Sequence, residues 1–307
     1  MPFGQPANTG TFIRDLFLGK NILSRLILIN TVVFLVINIL GMFFWLMGFG
    51  PSGNDQLGII EKFLAIPSNL ELLGSKPWTM FTYMFTQKGF FHLLFNMMVL
   101  YFGSKIFLEY LSERKLLSTY IIGGLVGALF FVGAFNAFPV FQSMAPKAVA
   151  IGASASVLAV LIAVATYVPD YTVHLFLFGR LKMKYIAIGF ITLDLLSIQS
   201  SNPGGHIAHL GGALWGFLFA YQLKKGQNLY GFMDWFKKPS GSFRKDNMRS
   251  SYTGNKKERP LSDVEYNSQR IATQEQIDQI LDKISKSGYS SLTAKEKELL
   301  FKTSNKK

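Results

Sequence analysis

The sequence predicts an all-α membrane protein: a bundle of six transmembrane helices with a long structured outer first loop and a small helical C-terminal tail. Three observations predict it. Half of the 307 residues are hydrophobic and only 16% are charged, against about one quarter charged in a soluble globular chain. The apolar residues gather into runs between Leu26 and Leu223, and runs of about 20 residues match the length that crosses a bilayer. Lys and Arg gather at alternate ends of those runs, the pattern that sets membrane orientation. An ordinary soluble enzyme, a disordered chain and a coiled coil are thereby excluded. With no Cys, a disulfide framework, a thiolate metal site and a cysteine nucleophile are excluded too.

The first run, Leu26–Gly48, lies too far from the start and is too long for a signal peptide, and no A-x-A site follows it. It reads as an uncleaved first span after a cytoplasmic segment, 1–25. The remaining spans read as Phe90–Leu108, Leu116–Phe138, Ala148–Val168, Tyr185–Asn202 and His206–Leu223. In lipid each crossing must satisfy its own amides, which dictates helices. The fifth is the shortest. Its strictly apolar part, Tyr185–Ile198, spans ~21 Å at 1.5 Å per residue, against a core of ~30 Å. It therefore borrows Gln199–Asn202 or thins the bilayer locally. With six crossings, Arg14, Lys20, Arg25, Lys105, Arg114, Lys115, Arg180, Lys182, Lys184, Lys224 and Lys225 share one side. Lys62, Lys76, Lys88 and Lys147 hold the other. Both termini are thus expected in the cytoplasm.

The membrane part is residues 26–225. Within it, the outer loop 49–89 carries Pro51, Pro67, Pro77 and Trp78. It is too long for an idle connection, and such loops are usually ordered or functional. The tail, 226–307, is basic: with Lys224 and Lys225 it holds 18 basic and 10 acidic residues, +8 of the net +13. In a membrane protein such charge faces anionic lipid headgroups, and no nucleic-acid motif accompanies it. Leu229, Phe232, Met233, Trp235 and Phe236 suit an interfacial helix. A short helical hairpin is expected over about 270–302. Ile277, Ile280, Leu281 and Ile284 form its first apolar stripe, Gly288 the stop, and Ser291 and Thr293 the caps of a second helix. The sequence names no partner for the tail.

Chemistry-bearing residues sit at the outer ends of three spans, where polar groups are costly and therefore functional candidates. The fourth opens with Gly152-Ala153-Ser154-Ala155-Ser156, small residues that admit a close neighbour. Alone, Ser154 reads as a hydroxyl bonded to a carbonyl one turn back. The sixth opens with His206-Ile207-Ala208-His209-Leu210-Gly211-Gly212, and Gly212 and Gly216 form a G-x-x-x-G face. Packed on the small residues of the fourth span, that face brings a His within reach of Ser154. Ser becomes a nucleophile when an adjacent base takes its proton. His206 and His209 are spaced for a metal pair, but no third ligand of suitable spacing is visible, so neither metal nor cofactor is expected. The second span carries His92 and Asn96, i and i+4 on one face, donors suited to an oxyanion or to helix packing. Asp194, inside the fifth span, reads as a buried carboxyl bonded to a neighbouring Ser or Thr.

Together, H-x-x-x-N, G-A-S-A and A-H-L-G-G-x-x-x-G on the second, fourth and sixth spans resemble the rhomboid family of intramembrane serine proteases. The resemblance runs from about Trp78 to Leu223, and Trp78 with Phe81-Thr82 looks like the family's first-loop motif. It implies Ser154 as nucleophile and His209 as general base, a dyad with no third acid. It implies His92, Asn96 and the Ser154 amide as the oxyanion hole, with Gly152, Ala153, Ala155 and His206 as neighbours. It also implies a water-filled outer cavity, transmembrane protein substrates surrounded by membrane lipids, and a bacterial inner membrane. Three positions depart from the family pattern. Ala155 stands in place of Gly, and its methyl is expected to narrow the cavity. Thr79 stands in place of Arg, and Gln87 in place of a loop His. Both are expected to touch the loop and its lipid contacts, not the dyad. Two other classes remain: a catalytically inactive rhomboid-like protein that holds client membrane helices, and a transporter.

Overall fold

The computed structural model describes residues 14, 16–49, 58–175, 179–199 and 202–227, with scattered positions between 280 and 300. The chain divides into two compact units, Met1–Gly241 and Ser242–Lys307. The first is mostly helical and holds no closed sheet. Among the described residues, three helices are long and apolar enough to cross a membrane: α1 (Ile22–Leu46), α5 (Phe90–Tyr110) and α6 (Glu113–Ala137). Three more complete the bundle: α7 (Ser154–Tyr167), α8 (Met183–Ser197) and α9 (Pro203–Lys224). Between α1 and α5 lie the short helices α2 (Ile59–Leu64), α3 (Leu70–Ser75) and α4 (Thr79–Thr82).

The ends of these helices have local causes. Asn21 caps α1 by accepting from the Ser24 amide at 2.8 Å. Asn202 caps α9 through Gly205, with Pro203 at the first helical position, where a missing N–H costs nothing. That cap starts α9 three residues ahead of the expected His206. The fourth helix is shorter than expected, because Val149–Ala150 is strand β2, not helix. β2 pairs antiparallel with β1 (Ile66–Pro67). Beyond it, Gly152 has φ +136°, a value open to Gly and foreign to a helix. A further hairpin, β3 (Thr172–Leu175) with β4 (Gly179–Lys182), joins α7 to α8. Beside it, Asp170 accepts from Lys184 at 2.8 Å and Lys182 at 3.0 Å. Those two ammonium groups hold its carboxyl down at about 2.

α7 is the central helix. Every residue from Ala155 to Ala165 is buried, and a helix apolar on all sides belongs inside a bundle. Its neighbours approach through glycine. A Cβ at Gly212 would overlap the Ala155 carbonyl, and one at Gly216 the Ala159 carbonyl. On the α6 side, Gly123 and Gly127 face the methyls of Ala159 and Ala155. α7 is thus clamped between α6 and α9 almost backbone to backbone, as small-x-x-x-small faces permit. α8 lies outside this clamp, with only Met183, Ala187 and Asp194 buried.

The outer loop is ordered by its own contacts. Trp78 donates from Nε1 to the Phe63 carbonyl at 3.0 Å and packs against the Phe63 ring at a 39° tilt. Thr82 donates to the Leu64 carbonyl at 2.8 Å. Thr79 is fully buried and donates to the Lys76 carbonyl, so it faces the protein and not lipid. Burial raises the phenol pKa of Tyr83, and its hydroxyl donates to the Gly124 carbonyl.

In the second unit, Ile280 and Leu292 are buried. Thr293 and Glu296 form a reciprocal cap, the Thr293 amide donating to Glu296 at 2.7 Å and the Glu296 amide to Thr293 at 3.4 Å. Lys283 donates to both Glu296 oxygens at 3.0 Å. The expected interfacial helix, Leu229 to Phe236, and most of the first hairpin helix lie outside the described residues.

Two outcomes are expected. Gly216→Val forces the Ala159 backbone aside and costs about 3 kcal/mol or more, lowering the unfolding midpoint in detergent. Gly133→Ala, which meets nothing within 4 Å, leaves it unchanged or slightly raised. The Thr293 amide, Lys283 and the Thr293 hydroxyl hold the Glu296 carboxyl at about 2. A depressed folded value means that its stabilisation is present above the unfolded value and is lost as pH falls toward 2. An NMR titration of Glu296 should therefore give a low midpoint that Lys283→Met raises.

Candidate active site

The site forms where α7 begins. The Gly152 amide donates to the Tyr83 carbonyl at 2.9 Å, and the chain turns there into the helix. The first bond of the α7 ladder runs from the Val157 amide to the Ala153 carbonyl. The amides of Ser154, Ala155 and Ser156 therefore precede the ladder, at the electropositive end of the helix. Ser154 occupies the first helical position.

Its hydroxyl donates to Nε2 of His209 on α9 at 2.6 Å. The other ring nitrogen of His209, Nδ1, lies 2.8 Å from Oδ1 of Asp194 on α8. An ionised carboxylate accepts only, so the proton of neutral His209 sits on Nδ1. That tautomer leaves the Nε2 lone pair free for the Ser154 proton. Nδ1 of His206 also lies 2.8 Å from the same Oδ1. One buried carboxylate oxygen thus holds two imidazoles, whose rings are nearly perpendicular (83°) with centroids 5.8 Å apart. Asp194 is bonded to these two His, not to a Ser or Thr as expected. Spacing along the chain hides this, because α8 and α9 fold back on each other. The visible signal was the acid itself, since an ionisable group within an apolar span needs a partner.

His92 flanks the same space. A Cβ built on Gly152 would lie 3.2 Å from His92 Cε1 and 3.4 Å from Ser154 Oγ, so Gly152 leaves open the gap that ring and hydroxyl share. Asn96, one turn further along α5, is buried and donates from Nδ2 to Gln87 Oε1 at 2.8 Å. Gln87 donates to Asn30 Oδ1 at 3.1 Å. Asn30 donates to the Tyr120 hydroxyl at 3.1 Å, and Tyr120 to the Met84 carbonyl at 3.2 Å. This relay ties α1, the outer loop, α5 and α6 together behind His92. Gln87 therefore does not touch lipid; it holds Asn96. Nothing in the sequence links Asn30, Gln87 and Tyr120, and their joining is a tertiary result. Ala155 also differs from expectation. It is 2% exposed, and its methyl fills the notch left by Gly127, so it does not narrow the cavity. Ala153 is fully buried.

This geometry of hydroxyl, imidazole and small-residue helix faces lies within the segment 74–226, which the family model of the Rhomboid domain matches. The chain belongs to the rhomboid family. The match takes in α4 through α9 and ends before the tail, and α1 lies ahead of it. Residues 262–306 match a second family, DUF6576, described as a family of unknown function. No curated protein matches the chain. Together with its apolar helices, the rhomboid domain makes this an integral membrane protein.

Two substitutions test the scaffold of the site. Gly152→Ala places a methyl at 3.2 Å from the His92 ring with φ at +136°. It should cost about 1–3 kcal/mol of stability and displace His92, read as a lowered unfolding midpoint. Gln87→Leu strands the Asn96 amide and the Asn30 carbonyl in a buried site. It should cost about 1–3 kcal/mol per orphaned group by the same measurement.

Proposed function

We propose that this rhomboid is an active serine endopeptidase that cleaves transmembrane protein substrates. One observation carries the reading. The Ser154 hydroxyl donates to His209 Nε2 at 2.6 Å while Asp194 holds His209 Nδ1 at 2.8 Å. Nucleophile, base and an acid that fixes the base's tautomer stand in series, the arrangement that activates a serine. This reading replaces the two-residue dyad implied by the resemblance with a set of three.

In the proposed reaction Ser154 Oγ attacks the scissile carbonyl as its proton passes to His209 Nε2. The resulting imidazolium is stabilised by Asp194. The oxyanion is met by the amides at the start of α7, by His92 and by the second Nδ2 hydrogen of Asn96, the first being engaged by Gln87. Groups already fixed where the charge develops lower the barrier most. His209 then protonates the leaving amine, and water hydrolyses the acyl-enzyme by the same route in reverse.

Membrane placement belongs to the proposal. Six crossings put both termini in the cytoplasm and the start of α7, α9 and α5 at the outer face. With 14 residues, α7 spans ~21 Å, less than the ~30 Å hydrocarbon core. Ser154 at its outer end therefore sits below the leaflet surface, where the cavity must admit water and an unwound substrate segment. Lightly packed α8, touching α5 through Phe190 and Phe95, suits a side entry for that segment.

The test is fluorophosphonate labelling together with cleavage of a model single-span substrate in liposomes. Ser154→Ala and His209→Ala should abolish both. Asp194→Asn should lower turnover by roughly 10²–10⁴-fold with little change in KM, as loss of a tautomer-fixing acid does. An unlabelled wild-type protein would leave the client-holding reading in its place.

A further inference from the structure

We infer that Asp194, His206 and His209 form an inhibitory binding site for a divalent transition metal such as Zn²⁺. The sequence shows two His spaced for a metal pair and no third ligand; the fold supplies one from α8. One donor atom from each of His206, His209 and Asp194 lies within 4.8 Å of the other two. Two imidazoles and one carboxylate suit zinc and its neighbours. At metal–ligand bonds of ~2.0–2.2 Å, tetrahedral donors stand ~3.3 Å apart. Each Nδ1 here is 2.8 Å from Oδ1, so those two edges open by about half an ångström, while the two imidazole donors, within 4.8 Å of each other, settle to the same spacing by ring rotation. The side chains of His206 and His209 are 23% and 24% exposed, which gives the ion a path and leaves water as the fourth ligand.

Binding changes the tautomer of the base. The metal takes the Nδ1 lone pair of His209, and the ring's single proton moves from Nδ1 to Nε2. No proton is gained or lost, but Nε2–H now points at Ser154 and cannot accept its proton. His206 makes the same exchange. The site thus blocks catalysis through the atoms that otherwise support it, and it requires His206, which the proposed proton transfer does not use.

The inhibition rests on the proposed roles of Ser154 and His209, whereas metal binding does not. The experiment uses tag-free full-length protein in detergent. Co²⁺ is followed by its tetrahedral visible absorption, and labelling by a fluorophosphonate is timed with and without Zn²⁺. At zinc about ten times its Kd, wild-type labelling should slow ~10-fold, and EDTA should restore it. His206→Ala and the closer mimic His206→Gln, each compared with its own metal-free rate, should lose both the Co²⁺ absorption and the zinc effect. Absence of the Co²⁺ absorption in wild type, or retention of it in both folded variants, overturns the inference. So does wild-type labelling that proceeds without metal but is not slowed by zinc. Co²⁺ absorption that depends on His206, in a protein that never labels, supports the metal site while rejecting the protease reading.

Discussion

The structure depends on the close approach of α7 to the helices on either side. Gly212 and Gly216 lay α9 on the carbonyls of Ala155 and Ala159, and Gly123 and Gly127 lay α6 on the methyls of the same two residues. At that separation a side chain at the start of α7 and one nearly two turns into α9 can meet. The bond between Ser154 and His209 follows from backbone contact, which cannot drift as long side chains can. In lipid, where apolar burial gives no net drive between helices, such packing is the main source of cohesion.

A second constraint sets where α7 begins. The β1–β2 pair and the bond from the Gly152 amide to Tyr83 fix the chain just ahead of the helix, and the left-handed turn at Gly152 ends the extended segment. The outer loop therefore acts as part of the site. It fixes the height at which the helix amides start, and through Gln87 it holds Asn96 on α5.

Polar groups buried in the bundle are costly unless they bond to one another. Two such bonded sets occur among the described residues. Asn96, Gln87, Asn30 and Tyr120 are satisfied in series and stiffen the wall behind His92. Asp194, His206 and His209 form the other, one carboxylate oxygen lying 2.8 Å from a ring nitrogen of each His.

The sequence by itself determined the helices and which side chains are the candidates for chemistry. Helix-length apolar runs, a Gly/Ala stretch around Ser154 and the glycine spacing after His209 are local patterns, and a helix enforces its own periodicity wherever it lies. Element boundaries were legible where a cap was read, as at Thr293. They were missed at Asn21, which starts α1 four residues ahead of the expected Leu26, and at Val149, which pairs with Pro67 some eighty residues away. The tertiary structure alone decided what Asp194, Gln87 and Ala155 do. Each reads in sequence as an exception or a substitution, because its partner sits on another helix and separation along the chain carries no information about such contacts. Asp194 gains its meaning only when α8 and α9 fold back on each other and set its oxygen between two imidazoles.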